Sequence, residues 1–166
     1  MRRKERTAII TAMTSTSEPQ RTTEDDHEPG REPLRVTRPR HVALTVRNLE
    51  ESARWYSDLF DLHEVFREEA PHRRAVVLAS PDGWAMHIGL VQHSGTPDQK
   101  FDPTVVGLDC AAWSVASREE LDRWQGFLEE RGVVHSPVAD LGVVAMLNLK
   151  DPDGIALALF WDEVAE

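Results

Sequence analysis

The sequence predicts an α+β fold built from two tandem β-α-β-β-β modules, and three observations carry that reading. Slid against itself by 69 residues, the chain matches without a gap at Ala43/Ala112, Val46/Val115, Glu50/Glu119, Glu51/Glu120, Arg54/Arg123, Trp55/Trp124 and Leu59/Leu128, with His41 falling on Cys110. Self-similarity at a fixed offset marks a duplicated supersecondary unit. In each copy an alternating stretch precedes a capped, amphipathic helical stretch. In each copy the last strand-like run also follows the same turn, "SPDG" at 80–83 and "DPDG" at 151–154.

The first module opens with Val42, Leu44 and Val46 alternating with His41, Ala43 and Thr45, the period of a strand. Asn48 is a suitable N-cap with Glu51 three residues on, and Leu49, Ala53, Tyr56 and Phe60 form one apolar helical stripe. Three strand-like runs follow, at 64–69, 73–79 and 84–92. In the second module Ser117 and Glu120 repeat the cap, Leu121, Trp124 and Leu128 turn inward, and Gly132 is a fitting residue just past the helix end. Strand-like runs follow at 133–138, 143–149 and 155–161. Residues 1–36 have almost no large apolar side chains to offset the entropy of ordering, so a disordered polar tail is expected there, with Met13 an alternative start. The folded domain is expected over 37–162, with module one at 39–95, a linker at 96–104 and module two at 105–162.

Charge and composition exclude several classes of partner. The 166 residues carry a formal net charge of −10, which repels nucleic acid and anionic membrane surfaces. A single cysteine cannot form an internal disulfide, which fits a cytoplasmic location. The apolar run Ala8 to Ile10 is too short for a signal peptide, and no window approaches the roughly 20 apolar residues of a membrane span.

The segments "HVALTVRNLEESARWYSDLFDL" and "GLDCAAWSVASREELDRWQGFLEERGVVHSPV", closed by "LKDPDGIALALFW", resemble the vicinal oxygen chelate superfamily of glyoxalase I, bleomycin-resistance proteins, fosfomycin-resistance enzymes and extradiol dioxygenases. The resemblance covers nearly all of 39–162 and implies modules whose strands form a curved mixed sheet around a cup. In metal-dependent members the first and last strand of each module supply ligands, usually His on the first and Glu or His on the last. Carried onto this chain, the first-strand places are His41 and Cys110, and the last-strand place of module two is Ala158, where relatives often read "DPDGIQLELF". Its counterpart in module one is His87 when counted from the turn glycine, or Gly89 by the 69-residue offset.

The resemblance therefore implies a small-molecule pocket protein with a degenerate metal site and no cofactor. Such a protein either sequesters a small organic ligand or carries out metal-free chemistry with His41 and His87 as acid–base groups, an imidazole being suited to either role. Cys110, His135, Ala158, Phe160 and Met146 are its pocket candidates. Cys110 is open to three readings: a buried thiol packing as a hydrophobe, a metal ligand, or a nucleophile. His135, before Pro137, reads as a surface turn or a pocket residue. The alternative is a divalent-metal-dependent lyase, isomerase or ring-cleaving dioxygenase that holds Zn, Fe, Mn or Ni through His41, His87 and Cys110. A third reading is a domain devoted to association with another protein. Family habit also implies a homodimer.

Overall fold

The computed structural model describes residues 40–82 and 86–163. The expected tail and the segment 83–85, which contains the SPDG glycine and the expected start of a strand at Trp84, lie outside the described residues. The elements run β1 Val42–Thr45, α1 Leu49–Phe60, β2 His63–Ala70, β3 Arg73–Ala79, β4 His87–His93, β5 Ala111–Ser114, α2 Arg118–Glu130, β6 Ala139–Asp140, β7 Val144–Lys150 and β8 Ala156–Asp162. This is β-α-β-β-β twice, as the repeat predicts. No helix or strand forms over 94–110.

Each module folds into its own four-stranded mixed sheet, ordered β1-β4-β3-β2 and β5-β8-β7-β6. The first strand of each module lies parallel to the last, and the other pairs are antiparallel. β6 is shorter than the sequence run 133–138 suggests. Pro137 has no N–H to give a ladder, so pairing breaks into one isolated bridge, His135 to Leu149, and the two-residue β6.

Both helices form where the caps predict. The side chains of Asn48 and Ser117 accept hydrogen bonds from the backbone N–H of Glu51 and Glu120, respectively. Leu49, Ala53, Tyr56 and Leu59 of α1 and Leu121 and Leu128 of α2 are buried against their sheets. α2 ends in a Schellman motif. Gly132 is at φ 64, with Val133 N–H bonded to the Leu128 carbonyl and Gly132 N–H to that of Glu129. α1 also stops at a left-handed residue, here Asp61 at φ 52, with the N–H groups of Asp61 and Leu62 both donating to the Ser57 carbonyl.

Contacts between the modules include one turn and one aromatic group. Asp153 is buried and receives both the backbone N–H (2.9 Å) and the guanidinium Nε (2.6 Å) of Arg47. Asp151, also buried, receives the Tyr56 hydroxyl at 3.0 Å and the backbone N–H groups of Asp153 and Ile155. Beside this clamp, Phe60 at the end of α1 packs on Trp113 and Trp124, with ring centroids 6.1 and 5.7 Å away. The buried residues of the two modules form one continuous cluster.

Two predictions follow from these contacts. A β-carbon in the left-handed region costs about 1 kcal/mol, so Asp61→Gly is expected to raise the unfolding free energy by roughly that amount, read as a higher denaturant midpoint with an unchanged slope. Burial pushes the Asp151 carboxyl from 3.8 up to about 6, against the pull of its hydrogen bonds from Ile155 N–H and Tyr56. A carboxyl with a raised folded value binds its proton more tightly when folded. Its stabilising contribution is therefore complete below about pH 4 and lost as pH rises through 6, on the order of 3 kcal/mol in all. Asp151→Asn should remove this component. The expected result is a wild-type-minus-variant difference in unfolding free energy that falls between pH 4 and 7; a flat difference overturns it.

Candidate functional site

Alternation along each strand sends one set of side chains toward the helix and the other to the opposite, helix-free face. On β1, buried Leu44 faces α1, while Ala43 and Thr45 lie on the free face and exposed His41 continues that face one step ahead of the strand. The strand registers carry these positions across the sheet in rows. Ala43 pairs with Gly89, Gly89 with Val77, and Val77 with Phe66. One row earlier, His87 pairs with Ala79 and Ala79 with His63, and His41 is the residue before the register that opens with Val42 opposite Ile88. One row later come Thr45, Val91, Ala75 and Glu68. Glu68 is bonded to Arg73 at 3.0 and 2.8 Å, and that hydrogen bonding holds its carboxyl below the ordinary glutamate value.

The second sheet repeats the scheme with smaller and less basic side chains. Ala112, Ala158 and Asn148 form the row equivalent to Ala43 and Gly89, and Ser114, Phe160, Met146 and Ala139 form the next. Cys110 stands one step before β5 on this same face and is exposed, so it fills no core in this chain. Its placement follows from alternation: Ala111, not Cys110, is the residue turned inward. Ala158, Phe160 and Met146 are thus brought together as the sequence suggests. His135 is not with them. It bridges to Leu149, a core residue, which puts its ring on the helix side, where Nδ1 lies 2.8 Å from the Ser136 carbonyl.

The pairing resolves the register left open by sequence. Ala43 faces Gly89 just as Ala112 faces Ala158, so Gly89 is the structural counterpart of Ala158, and His87 corresponds to Ala156 one row away. A β-carbon built on Gly89 would stand 3.3 Å from Ala43 Cβ and 3.5 Å from His41 Cδ2, so the His41 ring already lies against the space a side chain at 89 would need. Of the four ligand places implied by resemblance, His41 and Cys110 carry donors, while Gly89 and Ala158 carry none. His41 and His87 lie on one sheet and Cys110 on the other. Among the described residues no three His, Cys, Asp or Glu side chains converge as a metal ion would require. The donors of a single chain therefore do not fit a divalent ion, and a hard ion least of all, because no carboxylate stands at any of the four places.

His63 is a free-face residue that the sequence reading missed. The β2–β3 hairpin shifts register between Glu64 and Phe66, leaving Val65 as a bulge. An extra residue of this kind moves everything beyond it to the other face, so His63 joins the row of His87 instead of turning toward α1. A separate groove of about 270 Å³ runs between Thr45, Arg47, the linker residues Lys100, Val105 and Leu108, and the turn at Asp153.

Comparison with known proteins gives a consistent result. The family model of the Glyoxalase/Bleomycin resistance protein/Dioxygenase superfamily matches residues 38–159. A glyoxylase/bleomycin resistance protein/dioxygenase domain from Frankia sp. EAN1pec is 31% identical, with a TM-score of 0.71 over 80% of this chain and 96% of that one. A glyoxalase family protein from Enterococcus faecalis is 21% identical, with a TM-score of 0.61 over 75% of this chain and 98% of that one. A fosfomycin resistance protein from Listeria monocytogenes, complexed with Mn(II) and sulfate, is 14% identical, with a TM-score of 0.58 over 80% of this chain and 98% of that one. At those identities the last two share the fold alone. Curated proteins gave no match.

Proposed function

The chain belongs to the glyoxalase/bleomycin resistance protein/dioxygenase superfamily, and from that premise we propose that it is a small-molecule pocket protein whose metal site has degenerated. One observation carries the reading: both last-strand ligand places, Gly89 and Ala158, lack a donor atom, and the His41 ring lies against the first of them. Small residues at those places leave room for an organic ligand over the sheet rather than a coordinated ion. His41 and His87, both on the free face, are then hydrogen-bonding or acid–base groups toward that ligand. The protein either sequesters the ligand or carries out metal-free chemistry on it. Phe160, Met146 and Cys110 line the corresponding face of the second sheet.

In this reading two copies close the pocket between them, as a homodimer. β1 and β5 each have a sheet neighbour on one side only, and a second chain would cover these edges and bring the two free faces together. The lone thiol supports a cytoplasmic setting, and no helix among the described residues is long and apolar enough to cross a membrane. A divalent-metal-dependent lyase, isomerase or ring-cleaving dioxygenase is the second reading, favoured by the placing of His41 and His87 on one free face. It needs the thiol of Cys110 from a second copy to complete three donors.

Elemental analysis separates the two. Protein purified without a metal-affinity tag and dialysed against Zn²⁺, Fe²⁺, Mn²⁺ or Ni²⁺ is expected to retain metal only at background, unchanged in His41→Ala and Cys110→Ala. Near-stoichiometric metal that is lost in both variants overturns the pocket reading in favour of the metalloenzyme.

A further inference from the structure

The free face of the first sheet carries more chemistry than the ligand places inherited from the family, and it narrows the class of ligand proposed above; the inference rests on that reading. Two imidazoles, His87 and His63, stand in one row joined through Ala79, and a third, His41, stands just ahead of β1 on the same face with its ring against Gly89. None of the three rings has a hydrogen-bond or ion-pair partner among the described residues. Each presents at least one N–H donor in either protonation state. In a chain with 29 acidic and 19 basic residues, carboxylates are absent from this row and the next. Toward the β2–β3 hairpin the first acid on the face, Glu68, is two rows away and already bonded to Arg73. The row therefore offers unpaired donors, with no carboxylate in it or in the row toward the hairpin.

The adjoining row is apolar throughout: Ala43, Gly89, Val77 and Phe66, the last 55% exposed. Ala43 and Gly89 make a low floor edged by the His41 ring, and the ring of Phe66 forms a wall at the other end. Successive rows on one face of a sheet are about 7 Å apart, comparable to the length of an aromatic ring bearing one carboxylate. His87 and His63 are two strands apart, about 10 Å, with Ala79 between them. That gap suits a carboxylate accepting a hydrogen bond on each oxygen.

We propose that this face binds a planar aromatic acid, its carboxylate held between His87 and His63 with His41 alongside, and its ring laid over Ala43, Gly89 and Val77 against Phe66. Charge selects the headgroup, and the flat floor selects a planar body. Charge-assisted hydrogen bonds are roughly twice as strong as neutral ones, so the acid is preferred over its uncharged analogue.

Calorimetric titration of the full chain with 2-naphthoate, 2-naphthylmethanol and 2-naphthylmethylammonium at mildly acidic pH tests this. Naphthoate is expected to bind about tenfold more tightly than the alcohol, and the amine most weakly. His63→Leu should remove most of the preference for the acid and leave the alcohol unchanged, whereas Phe66→Ala should weaken acid and alcohol alike. Equal binding of acid and alcohol, or an acid preference indifferent to His63→Leu, overturns the inference while the small-molecule reading stands. If none of the three binds, the inference falls; if the protein also holds stoichiometric metal, the pocket reading falls with it.

Discussion

The relation between the two modules depends on one buried turn. Asp151 and Asp153 leave module two and are satisfied largely by module one, through Tyr56 on α1 and Arg47 just before it. Two carboxylates at under a tenth exposure persist only when their oxygens are taken up by donors, and here five hydrogen bonds from Arg47, Tyr56, Asp153 and Ile155 do so. Removing one partner leaves the others buried and unpaired, a loss larger than the single hydrogen bond suggests. The clamp and the Phe60, Trp113 and Trp124 contacts beside it hold both helices in one core, and the opposite faces of both sheets are left free for chemistry.

Among the described residues the Arg47 and Tyr56 clamp forms on one side only, although the chain is a repeat. At the 69-residue offset Arg47 falls on Ala116 and Tyr56 on Gln125, while the turn of module one has Ser80 where module two has Asp151. Each substitution has found a local use. The Ser80 hydroxyl donates to Asp82 and accepts the Met86 N–H, closing its own turn. Gln125 accepts the Val138 N–H, which anchors the segment where Pro137 breaks the strand. Duplication supplied two copies of the architecture, and only one copy of each paired element was needed to join them. The free faces diverged likewise, into an imidazole-bearing one and one carrying a thiol, a methionine and a phenylalanine.

Much of this was legible in residues whose information is local. Caps at Asn48 and Ser117, the stripe of Leu49, Ala53 and Tyr56, and the left-handed stop at Gly132 depend on neighbours within a turn of helix, so spacing alone locates them. The site was legible only in part, because its geometry is set across strands. Whether His87 or Gly89 matches Ala158 depends on how β1 pairs with β4, which no count along one strand decides. His63 was hidden by a bulge, since a one-residue insertion reverses the face of everything beyond it and alternation cannot see it. His135 pairs with a core residue although its sequence reads as a turn, because Pro137 shortened the strand around it.

These register effects bear directly on what the free face can do. Had β2 continued without its bulge, Glu64 would pair with Ala79 and place a carboxylate beside His87. Glu64 instead lies on the helix side, bonded to Arg67. The bulge thus exchanges an acid for an imidazole in the row that already holds His87, on the face that carries His41, and turns a face that would repel an anion into one that attracts it. The same bulge is what lets His63 and Phe66, three residues apart, share one face opposite Ala79 and Val77, so the pairing of the aromatic wall with the third imidazole depends on it. Bulges recur beside functional sites because they re-aim side chains without altering the sheet around them, and the chemistry proposed for this face depends on the one at Val65.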